Sequence, residues 1–285
     1  MTLVSILTPS LNQARFVRDC MVSVQRQVHA EWEHVIVDGG SSDGTLDEIR
    51  AAADERLHLH VLPGTSQAQA LNAALERSCG EIIGWLNTDD GLFGTDALVG
   101  VVTAFEREPD CVAVYGDGVI VDETARVLRH VSTRAADLAR LQQVSPLMQP
   151  AVFIRRRALA ERFLREDVGV MIDLELWHYL AGRGRFRKVD RVLAVDRDHP
   201  SRKTQTLVHE QAKDRERLAA EYGLAVEAGR SPRRVARAWT RRASGAGELL
   251  ALERLYRPAF PYRLDARWRR AARQLLLPQR ALHRL

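Results

Sequence analysis

Two adjacent carboxylates, Asp89 and Asp90, close a short apolar run from Ile82 to Leu86. Neighbouring carboxylates repel each other, and a hard cation with oxygen ligands, Mg²⁺ or Mn²⁺, relieves that repulsion. A cation held there suits a phosphorylated substrate. An Asp-Asp pair also makes an ordinary exposed turn, because Asp is a common turn residue. Two further apolar runs end in the same polar fashion. Leu3 to Leu7 runs into Thr8-Pro9-Ser10, and Trp32 to Val37 runs into Asp38.

The elements that must position these residues follow from hydrophobic spacing. Leu3 to Leu7 reads as a buried strand stopped by Pro9, and Phe16, Val17, Cys20, Met21 and Val24 mark one face of a helix. Trp32 to Val37 is a second strand. Gly39 to Thr45 is a turn that feeds a helix with Leu46, Ile49 and Ala53 inward. Leu57 to Leu62 is a third strand, and Ser66 caps a helix through Ala70, Leu71, Ala74 and Leu75 that Gly80 stops. Ile82 to Leu86 is the fourth strand, buried on both faces. The order βαβαβαβ with short links predicts a doubly wound, mostly parallel sheet. Right-handed crossovers then bring the three polar strand ends to one edge, where open α/β sheets bind ligands.

Beyond Asp90 the pattern loosens. It predicts a helix over Asp96 to Phe105, a strand at Cys111 to Tyr115, and a hairpin of Val119 to Val121 with Val127 to Arg129. A strand at Ala151 to Ile154, a helix from near Arg157, a helix over Leu174 to Leu180, a last strand at Arg191 to Val195 and a long helix over Gln205 to Tyr222 complete the body.

The 285 residues suffice for one large domain with an appendage, and 46% hydrophobic with 28% charged residues is the composition of a soluble globular chain. Cys20, Cys79 and Cys111 are few, odd in number and far apart, which argues for a reducing compartment and against a disulfide framework or a structural zinc site. Neither a secretory leader nor a spanning helix is expected. The net charge of +5 hides an asymmetry. Residues 225–285 hold 15 Arg and no Lys against four acidic residues, a local +11, which leaves the rest at −6. Leu264, Trp268, Ala272 and Leu275 make an apolar stripe flanked by arginines, and Val235 with Trp239 makes a shorter one. Such a tail suits an anionic membrane surface or a packed helical pair with a basic rim. Nucleic acid is not expected as a partner, since the aromatics do not interleave with the basic residues.

Four stretches together carry a resemblance: residues 5–12 (SILTPSLN), 35–45 (VIVDGGSSDGT), 70–72 (ALN) and 84–90 (GWLNTDD). In order and spacing they resemble a family 2 glycosyltransferase, with the likeness reaching about residue 205. The resemblance implies an α/β GT-A fold, a doubly wound mixed sheet over residues 1–222, with 223–285 as a basic, amphipathic helical extension. It implies inverting sugar transfer by direct displacement from a nucleotide-diphosphate sugar, a UDP-sugar by family preference, with Mn²⁺ or Mg²⁺ as cofactor. The sugar would be a hexose or N-acetylhexosamine and the acceptor a glycan or lipid-linked sugar of a bacterial cell-envelope polysaccharide. The enzyme would be cytoplasmic, its tail touching the inner face of the plasma membrane.

Residue by residue, the resemblance implies that Thr8 and Pro9 border the nucleobase and Asp38 hydrogen-bonds it. Ser10, Asn12, Gly40, Ser41, Asn72, Asn87 and Thr88 would complete the nucleotide site. Asp89 would hold the ribose and Asp90 the metal. Asn87 departs from the family, which carries an Asp there, and a neutral amide supplies less charge to a metal. Gln67 and Gln69 also depart from the usual pattern, and Gln69 is placed on the sugar side. Asp173, before Leu174-Glu175-Leu176-Trp177, matches the family's general base, which takes the acceptor's proton; by position alone it is a helix N-cap. Glu175 is the fallback. Gln149 and Trp177 would face acceptor or sugar. The segment from Asp196 to Thr204 resembles a closing loop in which His199 completes the metal shell and Arg202 and Lys203 meet the diphosphate. A nucleotidyltransferase would share the sheet and the metal, but Thr8 to Gln13 lacks the Gly-rich phosphate loop such enzymes open with. A nucleotide- or glycan-binding relative without catalysis is favoured only by Asn87.

Overall fold

A computed structural model describes residues 2–133, 136–137, 141 and 147–223, with the backbone of 263–264. The first half alternates strand and helix: β1 (Val4–Ser10), α1 (Val17–Gln25), β2 (Trp32–Asp38), α2 (Thr45–Ala52), β3 (Leu57–Val61), α3 (Gln67–Glu76) and β4 (Ile82–Trp85). These four strands are mutually parallel in the order β4-β1-β2-β3. The second half is mixed. A two-residue β5 (Gly91–Leu92) precedes α4 (Ala97–Arg107), β6 (Cys111–Asp122), β7 (Arg126–Val131) and β8 (Val152–Arg155). Then come α5 (Ile172–Ala181), β9 (Arg185–Asp198), one helical turn at Lys203–Thr206 and α6 (Val208–Tyr222).

β8 lies antiparallel to both β4 and β6, and β9 is parallel to β6. β1, β2, β3, β4, β6 and β9 therefore all run the same way, and their carboxyl ends share one edge. Arg263–Leu264, labelled β10, pairs parallel with Arg126–Val127 on the outer side of β7. Leu264, expected in an amphipathic helix, thus lies in a strand. The rest of the expected helical extension falls outside the described residues.

Alternation along the strands divides the core in two. Leu7, Val35, Val37, Ile83 and Trp85 face Leu71, Leu176 and Trp177, whereas Val4, Ile6 and Ile82 face Cys20, Val24, Leu98 and Val101. Parallel strands covered on both faces read as continuous apolar runs for this reason. Glycine in the middle of β4 follows from the packing. A Cβ at Gly84 would come within 2.8 Å of the Phe153 ring and 2.9 Å of Ile6.

Several boundaries differ from the sequence-based expectation. β1 continues through Pro9 to Ser10, because Pro9 occupies a strand position where its missing N–H leaves the pairing intact over Val4–Ser10. The separate strands expected around Tyr115 and Ile120 are one twelve-residue β6, whose register breaks near Asp117. β9 begins at Arg185, six residues before the expected start, since its exposed first part alternates charged with apolar residues. The helix expected from Arg157 is a short 3₁₀ segment, Arg156–Leu159.

Candidate active site

The loop after β4 is organised by an amide. Asn87 Oδ1 accepts hydrogen bonds from Trp85 Nε1 (2.9 Å) and Gln67 Nε2 (2.9 Å), and Asn87 Nδ2 donates to Asp90 Oδ2 (3.1 Å) and Gln149 Oε1 (3.0 Å). The indole N–H can only donate, so it must face Oδ1, which fixes the amide's orientation. All four of its hydrogen-bonding positions are filled. A carboxylate at 87 would instead point an acceptor at Asp90 and at Gln149. The departure from the family pattern therefore changes the residue's work: Asn87 orients Asp90. Gln149 completes the link, donating from Nε2 to Trp85 O at 2.7 Å. Gln67 reaches the closing loop through Lys203 Nζ at 2.9 Å.

Asp90 is buried, and its Oδ1 accepts from the Arg197 amide at 3.2 Å. Burial, with the charges of Asp89 and Asp196 beside it, holds its carboxyl well above the usual range, against the opposing Arg202. Asp196, on β9, is raised for the same first reason, burial, with Asp89 and Asp198 adding to it and Arg202 opposing. Arg202 Nη2 stands 2.7 Å from Asp196 Oδ1, yet that oxygen is buried without a directional hydrogen bond. Asp196 carried no assignment in the sequence reading. Its signal was its place at the end of an apolar run, Val192 to Val195, the same pattern that singled out Asp38 and Asp89.

Arg197, also unassigned, locks β9 to this loop. It donates from Nε to Asp89 O (3.1 Å) and from Nη2 to Asp19 Oδ2 (2.8 Å), and it lies over the Phe16 ring. His199 is buried, with Nε2 2.9 Å from Asp89 Oδ2, Nδ1 2.8 Å from Ser201 Oγ, and its ring against Phe16. A carboxylate only accepts, so Nε2 carries the proton and offers no lone pair as it stands. Among the described residues no group of three or more His, Cys, Asp or Glu side chains is arranged to hold a metal ion. The donor set nevertheless fits a hard divalent cation. The buried Asp90 feels the charges of the partly exposed Asp89 and Asp196, and Asp196 Oδ1 is met only by the Arg202 ion pair. The Ser201 hydroxyl can accept as well as donate, so the imidazole can shift its proton to Nδ1 and free Nε2.

A second cluster forms where β1 and β2 end. Asp38 is fully buried and accepts from Ser10 Oγ (2.7 Å), Ser41 Oγ (2.7 Å), Gly40 N (2.9 Å) and Ser41 N (2.7 Å). Its four lone-pair positions are thus occupied within the protein. The turn needs φ +96° at Gly40, a left-handed conformation that glycine adopts freely. Asn12 ties the two loops together, its amide donating to Ser41 Oγ (2.7 Å) and its Oδ1 accepting from Ser42 N (2.9 Å). Leu11 remains exposed above Gly39.

Asp173 sits in the first turn of α5, not at its N-cap, which is Met171. The residue is partly exposed. Burial and the charge of Asp196 raise it above the ordinary carboxylate range, while the amides of Leu174 and Asp173 itself hold it down. Asp173 and Asp90 thus both feel Asp196.

Other expected site residues make contacts within the fold. Thr8 is buried beneath α1 with Oγ1 2.8 Å from His34 Nε2, and burial lowers that histidine to about 3, so it stays neutral. Pro9 and Thr88 are buried too. Asn72 clamps α3 to the chain at Leu164, donating to its carbonyl and accepting from its amide at 3.0 Å each. Gln69 closes a capping box with Ser66 and donates to Glu166 Oε2. Trp177 is a core residue, 1% exposed, because α5 is buried nearly all round. Glu175 is fully buried against Arg162 (2.6 and 3.0 Å) and Tyr222 Oη (2.5 Å), an ion pair turned away from the strand ends. A cavity of about 340 Å³ is lined by Arg155, Arg157 and Arg183 at the opposite end of the sheet.

A mixed sheet whose parallel strands deliver carboxylates to one edge is the architecture of the GT-A glycosyltransferases. Solved structures bear out the fold: a mannosyltransferase from Pyrobaculum calidifontis in complex with GDP-Man and Mn²⁺ has a TM-score of 0.61 at 19% identity, over 96% of this chain and 84% of that one. S. aureus TarS in complex with UDP has a TM-score of 0.60 at 16% identity, over 88% and 71%. The pattern of glycosyl transferase family 2 matches residues 5–163, and the chain belongs to that family. Among curated relatives, a PGL/p-HBAD biosynthesis glycosyltransferase of Mycobacterium tuberculosis is 34% identical over 159 residues, 53% of this chain and 59% of that protein. A Bacillus subtilis protein named for teichuronic acid biosynthesis, TuaG, is 43% identical over 91 residues, 31% and 36%. The matched part of the chain thus spans about a third to three fifths of the length of these relatives.

Proposed function

We propose that the chain transfers a sugar with inversion from a nucleotide-diphosphate donor, a UDP-sugar, to a glycan or lipid-linked acceptor. The observation that carries this reading is the gathering of Asp89, Asp90 and Asp196 at the strand ends, with Asp173 within reach of the same field. The nucleotide would lie along the turn that Asp38, Gly40 and Ser41 build. Asp38, with its acceptors filled, holds that turn in shape, and Leu11 offers the base an apolar face. Asp90, Asp89 and Asp196 would hold Mn²⁺ or Mg²⁺, His199 joining through Nε2 after its proton shifts. A cation so held compensates charge on the leaving diphosphate.

Asp173 takes the proton of the acceptor hydroxyl as that oxygen forms its bond to the anomeric carbon. The carbon's bond to the diphosphate breaks on the opposite face, and the nucleoside diphosphate departs. A base whose pKa is raised toward neutrality accepts that proton more readily. Lys203, held by Gln67, and Arg202, paired with Asp196, lie where a departing diphosphate would meet positive charge. UDP in one structural neighbour and GDP-Man with Mn²⁺ in another support a nucleotide-sugar donor.

Thermal unfolding with UDP, GDP and their hexose and N-acetylhexosamine conjugates, each with and without Mn²⁺, tests the reading. Stabilisation by a nucleotide only when Mn²⁺ is present is expected. No response to any combination overturns it. A nucleotidyltransferase would respond to nucleoside triphosphates instead.

The +11 charge of residues 225–285 supports contact with the anionic inner leaflet from the cytoplasmic side. No described helix is long and apolar enough to cross a membrane. Truncation after residue 224 is expected to move the protein out of the membrane fraction, and unchanged fractionation would sink the idea.

A further inference from the structure

The start of α5 is capped from outside. Its own N-cap, Met171, has no side chain able to accept a hydrogen bond, so the amides that precede the first turn need another acceptor. Asp214 of α6 supplies it. The buried carboxylate accepts from Val170 N (2.6 Å) and Met171 N (3.1 Å), with Gly169 N at 3.4 Å. Two residues beyond Met171, Asp173 stands in the first turn of the same helix. One carboxylate therefore fixes the backbone entering the turn, and the other sits on the turn so fixed.

The helix that provides Asp214 is itself clasped. Leu218 is fully buried, Tyr222 Oη donates to Glu175 Oε1 at 2.5 Å, and Arg217 Nη1 donates to Asp167 O at 2.9 Å. It also follows directly from the closing loop that carries His199, Arg202 and Lys203. Asp214 lies about fifty residues beyond the stretch that matches the family pattern.

We propose that Asp214 is a positioning residue for transfer: by holding the amides of residues 169–171 it sets where the Asp173 carboxyl stands, and it ties that placement to the closing loop. This rests on the reading of Asp173 as the base. An arm from α6 is the economical way to do this, because the loop entering α5 contains no Ser, Thr or Asn at the cap position to do it locally.

The test measures release of nucleoside diphosphate from the donor that the wild type turns over fastest among UDP-glucose, UDP-N-acetylglucosamine and GDP-mannose, with Mn²⁺. Asp214→Asn turns an amide NH₂ toward backbone donors, and Asp214→Glu moves the charge by one methylene. Either is expected to lower kcat at least tenfold with donor KM within about twofold. If the Asn variant does not fold, the Glu variant carries the comparison. Tyr222→Phe, which loosens the far end of the same helix, is expected to lower Tm while kcat stays within about twofold. The double variant Asp173→Asn/Asp214→Asn is expected to be no slower than Asp173→Asn alone, since a misplaced base cannot be lost twice.

Full additivity in the double variant, or a Tyr222→Phe loss of kcat equal to that of Asp214→Asn, would make Asp214 merely structural and overturn the proposal. An unchanged kcat in both Asp214 variants while Asp173→Asn is inactive overturns it alone. An active Asp173→Asn, or a wild type inert on every donor, removes the base reading and the proposal with it.

Discussion

Asp173→Asn should lower kcat by about 10²–10⁴-fold, the range that a positioned general base contributes, while donor KM and donor-induced stabilisation stay near wild type. The amide keeps the volume and can still accept from the Leu174 and Asp173 amides, so α5 should start where it does now. What it loses is the ability to take a proton. The wild-type pH profile adds a second reading. Burial and the charge of Asp196 raise the Asp173 carboxyl, so the form able to accept a proton is reached at a higher pH than for an ordinary carboxylate. The acid limb of kcat should therefore lie at higher pH than an ordinary aspartate would give, with kcat rising as pH rises. Near-wild-type turnover by Asp173→Asn, measured by release of nucleoside diphosphate, would remove Asp173 from the chemistry. Glu175 is then no substitute, because its carboxylate is buried against Arg162 and Tyr222.

Asp90→Asn should act in two opposite directions. Turnover should fall by 100-fold or more, since a bound cation contributes several kcal/mol to offsetting charge on the leaving group. Stability of the metal-free protein should rise. A carboxyl whose folded pKa is raised contributes stability that is full below its unfolded value, near 4, and lost as pH climbs through the folded value. At pH 7 Asp90 therefore works against the fold, driven first by its burial and then by Asp89 and Asp196. Replacing it with the neutral amide relieves that, with Tm gaining about 2–4 °C for each kcal/mol relieved. The gain should vanish near pH 4, where the wild-type group is protonated, and should shrink in Mn²⁺, which stabilises only the wild type. Scanning calorimetry at pH 7 and pH 4, with and without Mn²⁺, separates the two. A metal-free Asp90→Asn less stable than wild type at pH 7 contradicts the crowding argument.

Much of this was legible before any coordinates. Strand ends at Ser10, Asp38 and Asp90 converge because parallel strands with short helical crossovers leave no other arrangement. What periodicity does not supply is the face on which a buried strand presents each residue. β1 is covered on both sides, so nothing in Ile6-Leu7-Thr8 says that Thr8 turns under α1 toward His34. The same ambiguity hid Trp177, which shares a motif with Asp173 yet points into the core from a helix that is buried on almost every side. Asn72 belongs to a shared motif too, and it serves the packing of α3 on Leu164. Asp196 escaped notice for another reason. It ends a strand whose first part is exposed and charged, so the strand looked short and peripheral, and its distance from Asp90 in sequence concealed their proximity. Asn87 shows the limit of motif reading most directly. Its identity suggested a weaker ligand, whereas its four hydrogen bonds make it the hub that aims Asp90.

The clasp between α6 and the start of α5 has a consequence for how such chains diversify. Residues 5–163 carry the part that the family shares. Asp173, Asp196, His199 and Asp214 all come afterwards, and α6 is fastened chiefly to residues 165–175, through Asp214, Arg217, Glu221 and Tyr222. The segment from about 164 to 222 thus carries its own brace between α6 and α5, while its strand β9 is woven into the sheet beside β6 and β5. Proton acceptor, loop and brace therefore travel together along the chain, and an exchange between relatives that keeps them matched has to keep the β9 pairing with β6 as well.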